Sequence, residues 1–98
     1  RGPLPLLVEG GVYPWAVRLD YTRYTIVAVA NLSLDPWPDL TITLSYDDRM
    51  FHRVERAAAD GKWHPVHPES LERLGTALKF HFLSPIAPTD IAVYCLWA

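Results

Sequence analysis

Few side chains in this sequence are of types and spacings that do chemistry. His64-Pro65-Val66-His67 places two imidazoles three residues apart, and on a helix such a pair converges on a metal ion. Pro65 and Pro68 rule out a helix here, and on a strand an odd spacing sends the two rings to opposite faces. No cysteine or carboxylate stands nearby at a ligand spacing, so no metal site is expected. Asp47-Asp48, joined by Asp35, Asp39 or Asp60, could gather at one end of a β domain and offer oxygen ligands to calcium. Their spacing does not match the Gly-containing loop of an EF-hand, and solvated turn aspartates are the plainer account. Cys95 and His81 are the components of a thiol nucleophile and its base. Cys95 is expected beside Ile91, Val93 and Trp97, an apolar setting that disfavours a thiolate. No triad, carboxylate pair or phosphate loop can be assembled, so no catalytic residue, metal or cofactor is expected and the domain itself is read as non-catalytic.

Aromatic side chains are the other candidates. Four tryptophans and five tyrosines raise the question of carbohydrate binding, because the C–H faces of sugar rings stack on exposed indoles. Trp37, between Pro36 and Pro38, is the leading candidate for a sugar contact, since a stiff loop would hold its ring. The competing expectation is that Trp37 packs over the end of the domain or docks on a neighbour, and that Trp15 and Trp97, on strands, belong to the core. Asn31-Leu32-Ser33 also satisfies the N-glycosylation pattern, which occurs often by chance.

These residues must be positioned by strands. Nine prolines and five glycines cut the 98 residues into short segments rich in β-branched and aromatic side chains. Leu4 to Glu9, bounded by prolines, suits an edge strand. Trp15 to Tyr21 alternates, with Trp15, Val17 and Leu19 on one side. Leu40 to Tyr46 alternates most cleanly, Leu40, Ile42, Leu44 and Tyr46 inward and Thr41, Thr43 and Ser45 outward. Phe51 to Ala57 and Lys62 to Val66 flank a turn at Asp60-Gly61. Pro68 to Leu74 would suit a short helical turn. Thr76 to Leu83 alternates again, and a Pro-punctuated corner leads to the last strand. Seven or eight strands spaced about ten residues apart predict one all-β domain, an antiparallel, immunoglobulin-like β-sandwich.

Two strands break the alternation. Tyr24 to Ala30 and Ile91 to Trp97 are apolar on both faces, whereas a sheet with one face in water should alternate. Val27, Val29, Tyr94 and Leu96 are expected to form an outward apolar interface, opposite an inward set of Ile26, Ala28, Val93 and Cys95. Such a patch marks a domain that packs on something else.

Composition narrows the partners. Half of the residues are hydrophobic and 20% charged, enough to fold one core. Nine Lys and Arg against eleven Asp and Glu, a net charge of −2, make no basic patch for nucleic acid. The longest apolar runs fall far short of the roughly 20 residues that span a bilayer, so no membrane partner is expected. A single cysteine precludes an intrachain disulfide and leaves the compartment open. Arg1 to Gly11 does not read as a signal peptide, and the chain is read as a C-terminal fragment of a longer one.

The order of segments is similar to the C-terminal β-sandwich domains that follow the catalytic barrel in many glycoside hydrolases. The resemblance covers roughly residues 15–98. It rests on Ile26-Val27-Ala28-Val29-Ala30-Asn31-Leu32-Ser33, on the alternating strand Leu40 to Tyr46, and on Val54-Glu55-Arg56 with Asp60-Gly61-Lys62-Trp63. Leu78 to Leu83, the Pro85/Pro88 corner and Ile91 to Trp97 complete it as a closing hairpin. Such domains contribute no catalytic residues. The resemblance therefore implies an accessory role, with the catalytic domain of the same chain as partner and no particular sugar specified. An independent carbohydrate-binding module and a small immunoglobulin-like interaction domain are the alternative expectations.

Overall fold

The computed structural model describes residues 5–45, 48–83 and 85–98. Nine strands form two antiparallel sheets: β1 (Leu6–Glu9), β2 (Pro14–Asp20), β3 (Tyr24–Asn31), β4 (Leu40–Leu44), β5 (Arg53–Ala57), β6 (Trp63–Pro65), β7 (Ser70–Leu74), β8 (Ala77–Phe82) and β9 (Ile91–Trp97). One sheet has the order β1-β4-β8-β7 and the other β2-β3-β9-β5-β6. The expected all-β sandwich is the fold of the chain. The end of the expected strand Leu40 to Tyr46 falls at Tyr46, which lies outside the described residues.

The helical turn expected over Pro68 to Leu74 is instead β7. Gly75, at a φ of 65°, supplies the left-handed residue of a two-residue turn before Thr76, and Leu74 then pairs with Ala77. Pairing along β8 gives this segment a ladder that an isolated turn of helix lacks. At the Asp60-Gly61 turn, the Asp60 carboxylate accepts from Lys62 N (2.9 Å) and Ala58 N donates to Lys62 O (2.9 Å).

The core lies between the sheets. Leu40, Ile42 and Leu44 of β4 and Leu78, Phe80 and Phe82 of β8 are buried against the other sheet, with Phe82 stacked on Tyr94 at a ring separation of 4.8 Å. Their inward phase is the one their alternation predicts. The five-stranded sheet contributes Val27, Val29, Tyr94 and Leu96, each fully buried. These four are the residues expected on the outside, so the predicted faces of β3 and β9 are inverted. The physical reason is size. In Val27-Ala28-Val29-Ala30 the larger side chains fill the gap of about 10 Å between sheets, and alanines face out.

Arg18, inward-facing on edge strand β2, closes one side of the sandwich by donating to Pro5 O (2.7 Å) and Ser45 O (2.8 Å). Its Nε meets Asp20 at 3.0 Å. Partial burial raises the Asp20 pKa, but hydrogen bonds from Thr25 and Arg18 and the charges of Arg18 and Arg49 outweigh it and hold the carboxyl below its ordinary value.

Candidate functional site: the outer face of the five-stranded sheet

Pairing fixes which residues share the outer face. Ile26 lies opposite Leu19 on β2 and Cys95 on β9, and Cys95 lies opposite Glu55 on β5. Ala28 lies between Val17 and Val93, and Ala30 between Trp15 and Ile91. From edge to edge, then, Trp15, Val17, Leu19, Ile26, Ala28, Val93 and Ile91 make one apolar surface. Trp15, Leu19 and Ile91 are each about half exposed. Trp63, opposite Ala57, adds an indole at the far edge.

One end of the face carries a polar seam on an aromatic row. Tyr21, Tyr24 and Trp97 stand in sequence with ring separations of 4.8 Å at each step. Trp97 Nε1 donates to Glu55 Oε1 at 2.7 Å, and the Arg53 guanidinium lies 4.8 Å from the indole centre. Trp15 and Trp97, expected in the core, are therefore both on this outer face.

Cys95 does share its side with Ile91, Val93 and Trp97, but that side faces outward. Flanking side chains still cover it, leaving it 3% exposed. That burial, reinforced by the Glu55 carboxylate and opposed by Arg53, pushes the thiol pKa above its ordinary value. His81 is on the outer side of the other sheet, between Thr41 and Ser70, so both sheets separate it from Cys95 and the two cannot act together. His81 meets Glu69 (2.8 Å) and Asp39 (3.7 Å), while His64 meets Asp60 at 2.9 Å. Asp39 and Asp60 thus belong to different sheets and do not converge. Asp47 lies outside the described residues.

Trp37 is 2% exposed and belongs to the core cluster. Its backbone exchanges two hydrogen bonds with Ile86, N to O and O to N, each of 2.9 Å. A ring so enclosed has no face to offer: of the expectations for Trp37, packing is realised, and neither the candidate sugar contact nor a docking contact is open to it. Gly11 explains the enclosure: a Cβ there would sit 2.1 Å from Trp37 Nε1, so only glycine lets the turn after β1 close on the indole. Trp37 Nε1 is buried without a hydrogen-bond partner among the described residues.

Asn31-Leu32-Ser33 proves to be an internal clamp. Asn31 is fully buried, and its Nδ2 donates to Asp35 O (2.8 Å) and Ile86 O (3.0 Å). Its Oδ1 accepts from Ser33 N (2.9 Å) and Ser33 Oγ (2.6 Å). With the amide nitrogen so engaged, a glycan on Asn31 is incompatible with the native loop. The phrase that carried much of the family resemblance is thereby explained as the device that seats Trp37.

What sequence reading missed was the phase of β2. Trp15, Val17 and Leu19 form its apolar side, yet the buried side bears Arg18, because an edge strand can use one cation as a plug when backbone carbonyls receive it. The alternation of valine and alanine in β3 was the available signal. No family model, curated protein or solved structure matches the chain.

Proposed function

We propose that this chain is a non-catalytic packing module whose five-stranded sheet docks, through its outer face, on a neighbouring domain of the same polypeptide. In line with the resemblance noted above, that neighbour would be the catalytic domain of a carbohydrate-active enzyme, stabilised by the contact. The observation that carries the reading is the continuous apolar surface from Trp15 to Ile91 on the side of the sheet away from the core.

Its size favours a tethered partner. The three strands that carry it, at about 4.8 Å spacing, and seven residues at about 3.3 Å rise give a face on the order of 300 Å2. Free protein partners typically need about 800 Å2 each, whereas domains joined in one chain bury roughly 600–1,500 Å2 in total across both sides. The polar seam of Arg53, Glu55 and Trp97 at one margin suits a rim that water reaches.

Leu19→Lys and Ile91→Lys test the reading, because both side chains are half exposed and the changes should leave the fold intact. The isolated chain should bind a hydrophobic dye or self-associate, and the double variant should do neither. Placed in the parent polypeptide, the same variant should lower the melting temperature of the neighbouring domain. A wild-type chain that is strictly monomeric and binds no dye would refute the proposal.

A further inference from the structure

The two long sides of the sandwich are closed differently. On one, β1 lies against β2, and Arg18 of β2 spans the gap to Pro5 O and Ser45 O. The sheets start flush there, so the four-stranded sheet runs out one strand before the five-stranded one. Its last strand is β7, and the place beside β7, across from β6, holds no strand among the described residues. The core is thinnest at this corner. Leu71 faces inward opposite Phe80 yet is 45% exposed, and Phe51 and Val54, at 8% each, are the most exposed members of the core cluster. Between the sheets lies a cavity of about 220 Å3, lined chiefly by Phe51, Val54, Val66, Leu71 and Phe80. Its polar residues, His52, Arg53 and His67, are exposed, and the Arg53 guanidinium lies over Trp97 instead.

The corner has a backbone edge as well as a pocket. The Gly75-Thr76 turn makes Leu74 and Ala77 the pair that closes the hairpin. By antiparallel alternation Glu72 then turns its peptide groups toward β8, and Leu71 turns its N–H and C=O to the open edge. Such an edge is a template for another extended backbone. A residue added opposite Leu71 points inward, onto Phe51, Val66 and Phe80, because facing residues share a side of the sheet. A cavity of about 150 Å3 takes a benzene ring, so this one takes a Phe side chain. The next residue, opposite Glu72, points outward. Glu72 has Lys79 across from it on β8 and an open side at the edge, to which a second lysine is the complement. One inward position further on, the Arg73 side chain donates to Arg49 O (2.6 Å) and Gly75 O (3.3 Å), which leaves room there for a small residue only.

We propose that the open edge of β7 binds an extended peptide of a partner protein, which adds antiparallel as a fifth strand of the four-stranded sheet. Its Phe fills the cavity beside Leu71, its preceding Lys meets Glu72, and Leu71 N–H donates to the Phe carbonyl. Main-chain bonds hold the strand and the single pocket selects it. A small apolar molecule would fill the cavity and leave the edge unused. A second copy of this chain does not fit, because a two-fold axis that pairs β7 with β7 brings both β6 strands into one place. The inference rests on neither the outer face of the five-stranded sheet nor the neighbour proposed for it.

The test is titration of the isotope-labelled chain with the acetylated, amidated peptide Thr-Ser-Lys-Phe-Thr-Thr, read by backbone amide shifts and hydrogen exchange. In the free chain Leu71 N–H should exchange faster than Glu72 N–H, and the peptide should slow Leu71 selectively. Saturable shifts at Phe51, Val66 and Leu71 are expected. Replacing the peptide's Phe by Ala should weaken binding about tenfold or more. Glu72→Lys, at an exposed position, should weaken binding by up to about fivefold, and a peptide with Glu in place of its Lys should recover it. Ile91→Lys, on the outer face of the other sheet, should change nothing. Absence of shifts at millimolar peptide, equal binding of the alanine peptide, a Glu72→Lys chain that binds both peptides like wild type, or shifts centred on Trp15 and Ile91 would each overturn the proposal. So would protection of Leu71 that rises with chain concentration in the absence of peptide, the mark of a second copy.

Discussion

The two sides of the five-stranded sheet are made of the same kinds of residue and meet different fates. Val27, Val29, Tyr94 and Leu96 are sealed by the opposing sheet, while Ile26, Ala28 and Val93, one position out of phase, face away from it. The outer side of the four-stranded sheet shows what an ordinary solvated face looks like, with Thr41, Thr43, Lys79, His81 and Glu72 along β4, β8 and β7. An apolar composition on a strand thus reports that a face will be covered, without saying by what. On one side the chain covers itself, and on the other it presents a surface.

The strongest way to probe the sealed side is Trp37→Ala. The ring fills the core beside Ile86 and Gly11, so its loss should cost about 3–5 kcal/mol in denaturant unfolding. An effect under about 1 kcal/mol would mean that the loop bearing Trp37 is open in solution.

A matched pair sharpens the contrast between the sides. Leu96→Ala, sealed, should lose about 2–5 kcal/mol. Ile26→Ala, on the outer side and already partly in contact with water, should lose about 1 kcal/mol. Equal losses would show that the outer side is also covered in the isolated chain, and a reversed order would invert the faces assigned here.

Asn31→Leu should destabilise by about 1–3 kcal/mol, since it keeps the volume but leaves the buried Ser33 N without its acceptor. A neutral outcome in urea titration would mean that water replaces the clamp and that the loop does not depend on it.

The smallest expected effect concerns pH at the edge of the sealed side. Asp20 has its pKa lowered in the folded chain, so its contribution is present above the unfolded value of about 3.9 and is lost as pH falls through the lower folded value. Its side chain is half exposed, so screening limits the contribution to less than about 1 kcal/mol. Asp20→Asn should therefore be slightly less stable than wild type at neutral pH, with the gap closing below about pH 4. A gap that is constant with pH would assign the effect to packing of Arg18 and Arg49 instead of to the charge.

Much of the architecture was legible in the residues. Leu40 to Leu44 and Ala77 to Phe82 alternate, and one-sided burial is what alternation records, so their inward faces were readable directly. The doubly apolar β3 and β9 announced that the sheet would have two covered or coverable sides. β7 was hidden because Ser70-Leu71-Glu72-Arg73-Leu74 carries no strand pattern of its own, and only the Gly75-Thr76 turn hints at the pairing. Trp37 and Asn31 left more than one reading open for a related reason: their types suit a ligand or a modification when exposed and packing when buried, and exposure is not encoded in a residue's type; the packing reading of Trp37 is the one the fold realises.

What the sequence by itself determined is the set of strands, their punctuation and the excess of apolar surface, because local sterics, turn chemistry and periodicity act over a few residues. Which side of β3 and β9 is sealed, where Trp37 goes, and that Phe51, Val66 and Leu71 meet at one open corner were decided only by the tertiary structure. Each of those depends on contacts between segments far apart in the chain, such as Asn31 with Ile86 and Arg18 with Ser45. A period of two residues carries no record of which phase the opposing sheet will choose when both are apolar.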